Sequence, residues 1–282
     1  MINSQMRCKR LLKKGTSTAS TYILLTVTAL ICAGPFLWLL STSFKSNENV
    51  YALNFWPQNF SLESYIGVFQ LLDVGRMLVN SCIIAGGGVL LNVLMAALCA
   101  YPLAKIDFYG KKIVNGALMA TMIIPATVGL VVNYITIQNL HLNGNFWGVI
   151  LPNSVNVFSI ILLRQAYLAV PKELLEAARI DGAGELRTFL SVVCPIIKPG
   201  FGALAIFTFI NTWNDYFLQL IMLRSRSKLT IALGIATLQA EFATNYGLLM
   251  AGAALGAVPI VTVFLCFQKY FTQGITMGAV KG

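Results

Sequence analysis

Of the chain's 282 residues, 57% are hydrophobic and only 11% are charged, with a mean hydropathy of +0.75; soluble domains carry about a quarter charged residues. Lys and Arg number 20 against 10 Asp and Glu, giving a net charge of +10. This composition excludes an ordinary water-soluble domain, and basic residues scattered over separate loops argue against nucleic acid, so the medium for most of the chain is a lipid bilayer.

Charge-free windows mark the spans in chain order. Residues 15–44 and 77–104 hold no charged residue, and 113–163 hold only His141. That third window is long enough for two spans around a polar break near 138–145. Residues 199–223 contain only Asp215, and 242–268 contain no charge. About 20 apolar residues cross some 30 Å of hydrocarbon, so the windows predict six helices near 21–43, 77–101, 114–137, 147–166, 199–222 and 246–267. These runs are too long for barrel strands, and only helices or closed barrels satisfy the backbone in lipid. The expected architecture is an all-α membrane protein: a segment at 1–20, a six-helix domain at 21–268 and a tail at 269–282. A basic start followed by an apolar run could be a signal peptide. The run is longer than such a peptide's core, and no convincing small-x-small cleavage site follows, so it reads as a retained first helix.

Orientation follows from the basic residues. With six spans, both termini and the loops at 102–112 and 167–198 share a side, and 15 of the 20 Lys and Arg fall there, counting Arg164 just before the second loop. The positive-inside rule makes that side cytoplasmic. Six cysteines lie far apart without a C-x-x-C pair, as expected of reduced packing residues.

Residues 171–195 read PKELLEAARIDGAGELRTFLSVVCP, a charged stretch between apolar runs. Pro171 suits a first helical position, and Glu173 suits the positive end of the helix dipole. Leu174, Leu175, Ala177, Ala178 and Ile180 form an apolar surface, with Glu176, Arg179 and Asp181 elsewhere. Gly182 can take the left-handed conformation that ends a helix, and Ala183 and Gly184 allow a tight return. A second helix is expected from Glu185 to just before Pro195, leading into the fifth span near Pro199. The pair could rest on the bilayer. Against that, buried faces of membrane-lying helices favour bulky Trp, Phe or Leu, whereas Ala177 and Ala178 suit close approach by another protein.

Glu176-Ala177-Ala178, Gly182 and Pro195 stand at the spacing E-A-A-x3-G-x9-I-x-L-P, with Val192 and Cys194 at the Ile and Leu positions. This loop resembles that of permease subunits in binding-protein-dependent ABC importers, especially the smaller, maltose-type permeases of the carbohydrate-uptake branch. Pro125, Ile150-Leu151-Pro152, Leu163-Arg164-Gln165, Trp213-Asn214-Asp215 and the closing Gly278-Ala279-Val280-Lys281-Gly282 extend the likeness from about residue 20 to the end. Val132 replaces a proline often found in the third span, and Leu218-Gln219 replaces an aromatic-proline pair. The resemblance implies a type I importer permease fold with a cytoplasmic coupling helix, in which Glu176, Ala177, Ala178, Asp181, Gly182 and Ala183 meet an ATPase. The implied partners are a second permease forming a heterodimer, two ATP-binding ABC subunits, and an extracellular sugar-binding protein. The implied location is the bacterial cytoplasmic membrane, and no cofactor is implied.

No G-x-x-x-x-G-K-[ST] loop occurs, so ATP hydrolysis belongs to another subunit. One histidine, separated cysteines and few carboxylates offer neither a metal site nor a catalytic constellation. Asp215 is the one charged residue inside an expected span, where charges face cavities or partners. With Trp213, Asn214 and Tyr216 it offers chemistry for sugar hydroxyls, or else interfacial anchoring. Asn92 could line the same path or bond between helices. Gly86-Gly87-Gly88 and Gly252-x3-Gly256 permit close helix packing. The outer segment 45–76 could meet the binding protein or be plain surface. The alternative function is an ion-coupled secondary transporter of a small polar solute, which needs buried carboxylates; Asp215 stands alone.

Overall fold

The computed structural model describes residues 2–46, 50–51, 54–242 and 244–279, with the backbone alone for 2–19, 126 and 275–279. Val280, Lys281 and Gly282 of the closing motif lie outside the described residues. Every regular element among the described residues is a helix; the β-type pairing is one isolated bridge, Lys45 to Phe60. In order the helices are α1 (Ile2–Ser43), α2 (Glu63–Leu71), α3 (Val74–Lys105), α4 (Lys111–Thr121), α5 (Leu130–Asn139), α6 (Trp147–Asn153) and α7 (Val157–Leu168). There follow α8 (Lys172–Ile180), α9 (Glu185–Thr188), α10 (Cys194–Ile196), α11 (Lys198–Trp213), α12 (Phe217–Met222), α13 (Ile231–Glu241) and α14 (Tyr246–Ala279).

Among the described residues, three stretches are long and apolar enough to cross a membrane alone: Ser20–Ser43, Val74–Lys105 and Tyr246–Gly274. Two further spans form if bent pairs are taken together, α6 with α7 at 45° and Glu185–Ile196 with α11 at 77°. The third expected run, 114–137, is divided into α4 and α5. Pro125 ends the approach to a 3-10 turn at Ala126–Gly129, because a proline disfavours helical backbone at the residue before it. The tail expected from 269 continues as part of α14. Helices α2 and α13 lie in segments read from the sequence as outer loops.

Contacts divide the chain into two compact units, Met1–Leu71 with Leu238–Ala254, and Leu72–Thr237 with Leu255–Gly282. In the first, the Phe44 ring stacks on Phe60 at 4.8 Å, and Ser43 Oγ lies 2.8 Å from Tyr65 Oη. Most apolar side chains of the Ser20–Ser43 stretch are exposed, as lipid-facing groups are.

The second unit is organised around α3, which packs against α6, α7 and α11. Asp73 caps its start by accepting from the Arg76 backbone N–H at 3.1 Å. Glycines allow the close approach. A Cβ on Gly87 would sit 2.9 Å from Ile150 Cδ1, and one on Gly88 would sit 3.3 Å from Thr212. Toward the end of α3, Tyr101 joins Leu163, Tyr167, Leu175, Phe189 and Val193 in a buried core.

Candidate coupling loop and helix breaks

Helix α8 starts one residue later than the sequence suggests, with Pro171 as N-cap at φ −58°, ψ 140°. Its five apolar residues divide between two faces. Leu175 and Ala178 are buried, while Leu174, Ala177 and Ile180 are exposed, Ile180 by 87%. The helix ends in a Schellman turn, which satisfies the orphan carbonyls of the last turn. Gly182 N–H donates to Arg179 O at 3.0 Å, and Ala183 N–H donates to Ala178 O at 2.9 Å. Gly182 has φ +79°, a left-handed conformation that a side chain disfavours. Ala178 thus lies inside, and Ala183 is half-buried. Glu176, Ala177, Ile180, Asp181 and Gly182 form the outer face. Among the described residues, the carboxylates of Glu176 and Asp181 have no partner.

The second helix does not stop before Pro195. It runs from Glu185 to Ile196 through a π turn at Phe189–Val193. The Cys194 N–H donates to Phe189 O, one residue further back than in an α-helix. Proline has no N–H to give to an α-helical ladder, and the π turn shifts the ladder just before Pro195. Across the turn, Arg179 meets Glu185: Nη2 lies 2.7 Å and Nε 2.9 Å from Oε1. The other carboxylate oxygen, Oε2, accepts from the Tyr101 hydroxyl of α3 at 3.1 Å.

Of the second group of expected site residues, Trp213, Asn214, Asp215 and Tyr216 lie at the break between α11 and α12, and Asn92 lies on α3; a further break, between α6 and α7, adjoins them. Asn156 caps α7 by accepting from the Phe158 N–H at 2.9 Å, and Asp215 Oδ1 accepts from the Leu218 N–H of α12 at 3.2 Å. The two breaks touch, with Asn153 Nδ2 donating to Asp215 Oδ2 at 3.4 Å. Asn92 of α3 holds both flanks: its Nδ2 donates to Asn153 O at 3.2 Å, and its Oδ1 accepts from Thr208 Oγ1 of α11 at 3.1 Å. It is 1% exposed, which puts it among the groups that join helices. Trp213 is buried too, donating from Nε1 to Gly256 O at 3.1 Å. Asn214 is exposed, and Asp215 and Tyr216 are half-buried. Of the five residues expected on a solute path, these three alone have surface to offer.

Sequence reasoning missed Asn153, Gln219 and Asn80. Gln219 is buried, its Nε2 donating to Thr212 O at 2.9 Å and its Oε1 accepting from the Thr230 hydroxyl. Asn80 Nδ2 donates to Ser227 O at 3.0 Å and to Leu229 O at 2.9 Å. The signal was present in each case: an amide inside an apolar run, which must be paired when buried.

Residues 88–277 match the family described as "Binding-protein-dependent transport system inner membrane component". The chain belongs to this family, whose members are membrane components of importers rather than enzymes. Among curated relatives, the arabinooligosaccharides transport system permease protein AraQ of Bacillus subtilis (strain 168) is 32% identical, covering 88% of this chain and 90% of that protein. The melibiose/raffinose/stachyose import permease protein MelC of the same organism is 31% identical, over 95% of this chain and 100% of its own. Among solved structures, a chain of a bacterial ABC transporter importing the acidic polysaccharide alginate matches with a TM-score of 0.78 and 24% identity, over 90% of this chain and 95% of that one. The fold is therefore that of an ABC importer permease.

Proposed function

We propose that this chain is the permease subunit of an ATP-driven importer of sugars, with oligosaccharides as the substrate class. The relatives are named for arabino-oligosaccharides and for melibiose, raffinose and stachyose. Its six spans comprise the three long helices, the α4–α5 and α6–α7 segments, and α11 with α12. Both termini and the 167–198 loop face the cytoplasm, and a second permease completes a heterodimeric path. An external binding protein delivers the solute, and two ATP-binding subunits hydrolyse ATP.

The observation that carries this reading is the outer face of α8. It presents unpaired Glu176 and Asp181 beside exposed Ala177 and Ile180, on a helix whose opposite face is locked into the core. A small, flat apolar strip edged by carboxylates fits a protein cleft bearing basic groups. Glu176, Ala177, Asp181 and Gly182 would meet the ATPase; Ala178 and Ala183 shape the turn beneath them. Asn214, Asp215 and Tyr216 are the groups free to meet solute hydroxyls, while Asn92 and Trp213 hold the surrounding helices.

The test is uptake of a panel of radiolabelled oligosaccharides by cells expressing the complete transporter. Glu176→Lys reverses the charge on an exposed face, and Gly182→Pro removes a donor and forces φ away from +79°. Both variants should insert and co-purify with the second permease yet lose uptake; normal uptake in both would remove the coupling role. Vanadate should stop uptake and a protonophore should not, which an ion-coupled transporter would reverse.

A further inference from the structure

Two covalent routes lead from α8 into the bundle. Toward α11 the chain passes the Gly182 turn, the π turn and a 77° bend. Each is a place where backbone torsions can absorb a displacement, and π turns recur at functional positions. Toward α7 the chain passes Val170, whose carbonyl accepts from Lys105 Nζ of α3 at 2.5 Å. Beside these runs a through-space route. The Glu185 carboxylate takes Arg179 of α8 on one oxygen and Tyr101 of α3 on the other.

Tyr101 is a firm anchor. It is 6% exposed, and its ring packs on Phe189 at 4.9 Å and on Tyr167 at 5.7 Å. Tyr167 is itself tied to α3, donating to Ala97 O at 3.3 Å. From Tyr101, α3 runs back about 13 Å, at 1.5 Å per residue, to Asn92, which binds the α6 end at Asn153 and α11 at Thr208. The bridge thus joins the coupling loop to a helix that holds the α6 end of one break and, through Thr208, the helix that leads into the other.

We propose that the Arg179–Glu185–Tyr101 bridge is a positioning device that makes α3 move with α8, so that force applied to the loop reaches the helix breaks instead of being absorbed in the flexible turns. The proposal rests on the ATP-driven reading above. A bridge that merely holds the loop's shape would be replaceable without consequence once the loop is docked.

The experiment uses the whole transporter in proteoliposomes, with native cysteines replaced and a reporter cysteine at the break, Asn214→Cys. The rate of labelling by a membrane-impermeant maleimide is measured with and without ATP plus vanadate. In the parent, nucleotide should change that rate roughly fivefold or more, the lower range of allosteric coupling. In Glu185→Gln and Arg179→Ala, the change should vanish while the ATPase subunits still co-purify and hydrolyse ATP; Arg179→Lys, which keeps a cation for Glu185, should retain most of it. A full nucleotide response in Glu185→Gln and Arg179→Ala would overturn the proposal. So would loss of the ATPase subunits from those variants, since the bridge would then serve docking. A parent with no response would sink the ATP-driven reading itself, and the bridge with it.

Discussion

The loop at 171–196 and the two touching breaks at 153–156 and 213–217 both interrupt helices with polar residues, but under opposite constraints. In the loop the charged groups are all exposed and partly unpaired, because water solvates whatever the protein leaves open. At and beside the breaks they are amides, hydroxyls, an indole and one carboxylate, and the buried Asn92, Thr208 and Trp213 are paired with backbone or with each other. Unsatisfied backbone in hydrocarbon is penalised by several kcal/mol per group. The difference separates two kinds of residue: those that can be altered without unfolding the protein, and those that cannot.

That contrast can be broken, starting from the largest effect. Asn92→Leu should strip partners from the Asn153 carbonyl and the Thr208 hydroxyl, at about 1–3 kcal/mol for each group left unpaired. Thermal unfolding in detergent should show it plainly, and an unchanged midpoint would mean the break is held by something else. Gly88→Val pushes a side chain toward Thr212, where even a Cβ would be at 3.3 Å, and such overpacking is worth about 1–3 kcal/mol. Asp215→Asn keeps an acceptor for the Leu218 N–H, so stability should move by less than about 1 kcal/mol; a raised KM for oligosaccharide uptake would mark the carboxylate as a solute contact. Smallest on stability is Arg179→Ala, since its ion pair with Glu185 is about half exposed and such pairs contribute about 0–1 kcal/mol. An unfolding shift well beyond that would make the residue structural and erase the contrast.

Much of this was legible in the sequence, and the illegible parts share a cause. Gly182 was readable because a glycine after an alanine-rich helix has few other uses, and φ +79° followed. The division of Leu174 from Leu175 was not, since identical side chains on adjacent positions are sorted only by the neighbours that α3 and the second loop helix bring. The breaks were hidden by averaging, because an apolar window absorbs Asn153, Ser154 and Asn156 without losing its character. Pro125 and Pro152 carried the local warning. Trp213 looked like a platform for sugar because aromatic and amide residues adjoin it. It lies inside because α14 approaches at Gly256, an approach the sequence suggests only as close packing.

Asn92 has an electrical consequence. A missing turn in a membrane helix ordinarily leaves orphan carbonyls that recruit a thread of solvent, and such a thread conducts protons. Here an amide from a neighbouring helix occupies one of those carbonyls. The Asn153 carbonyl is thereby taken by protein rather than left open to solvent, one foothold fewer for a water chain at this break.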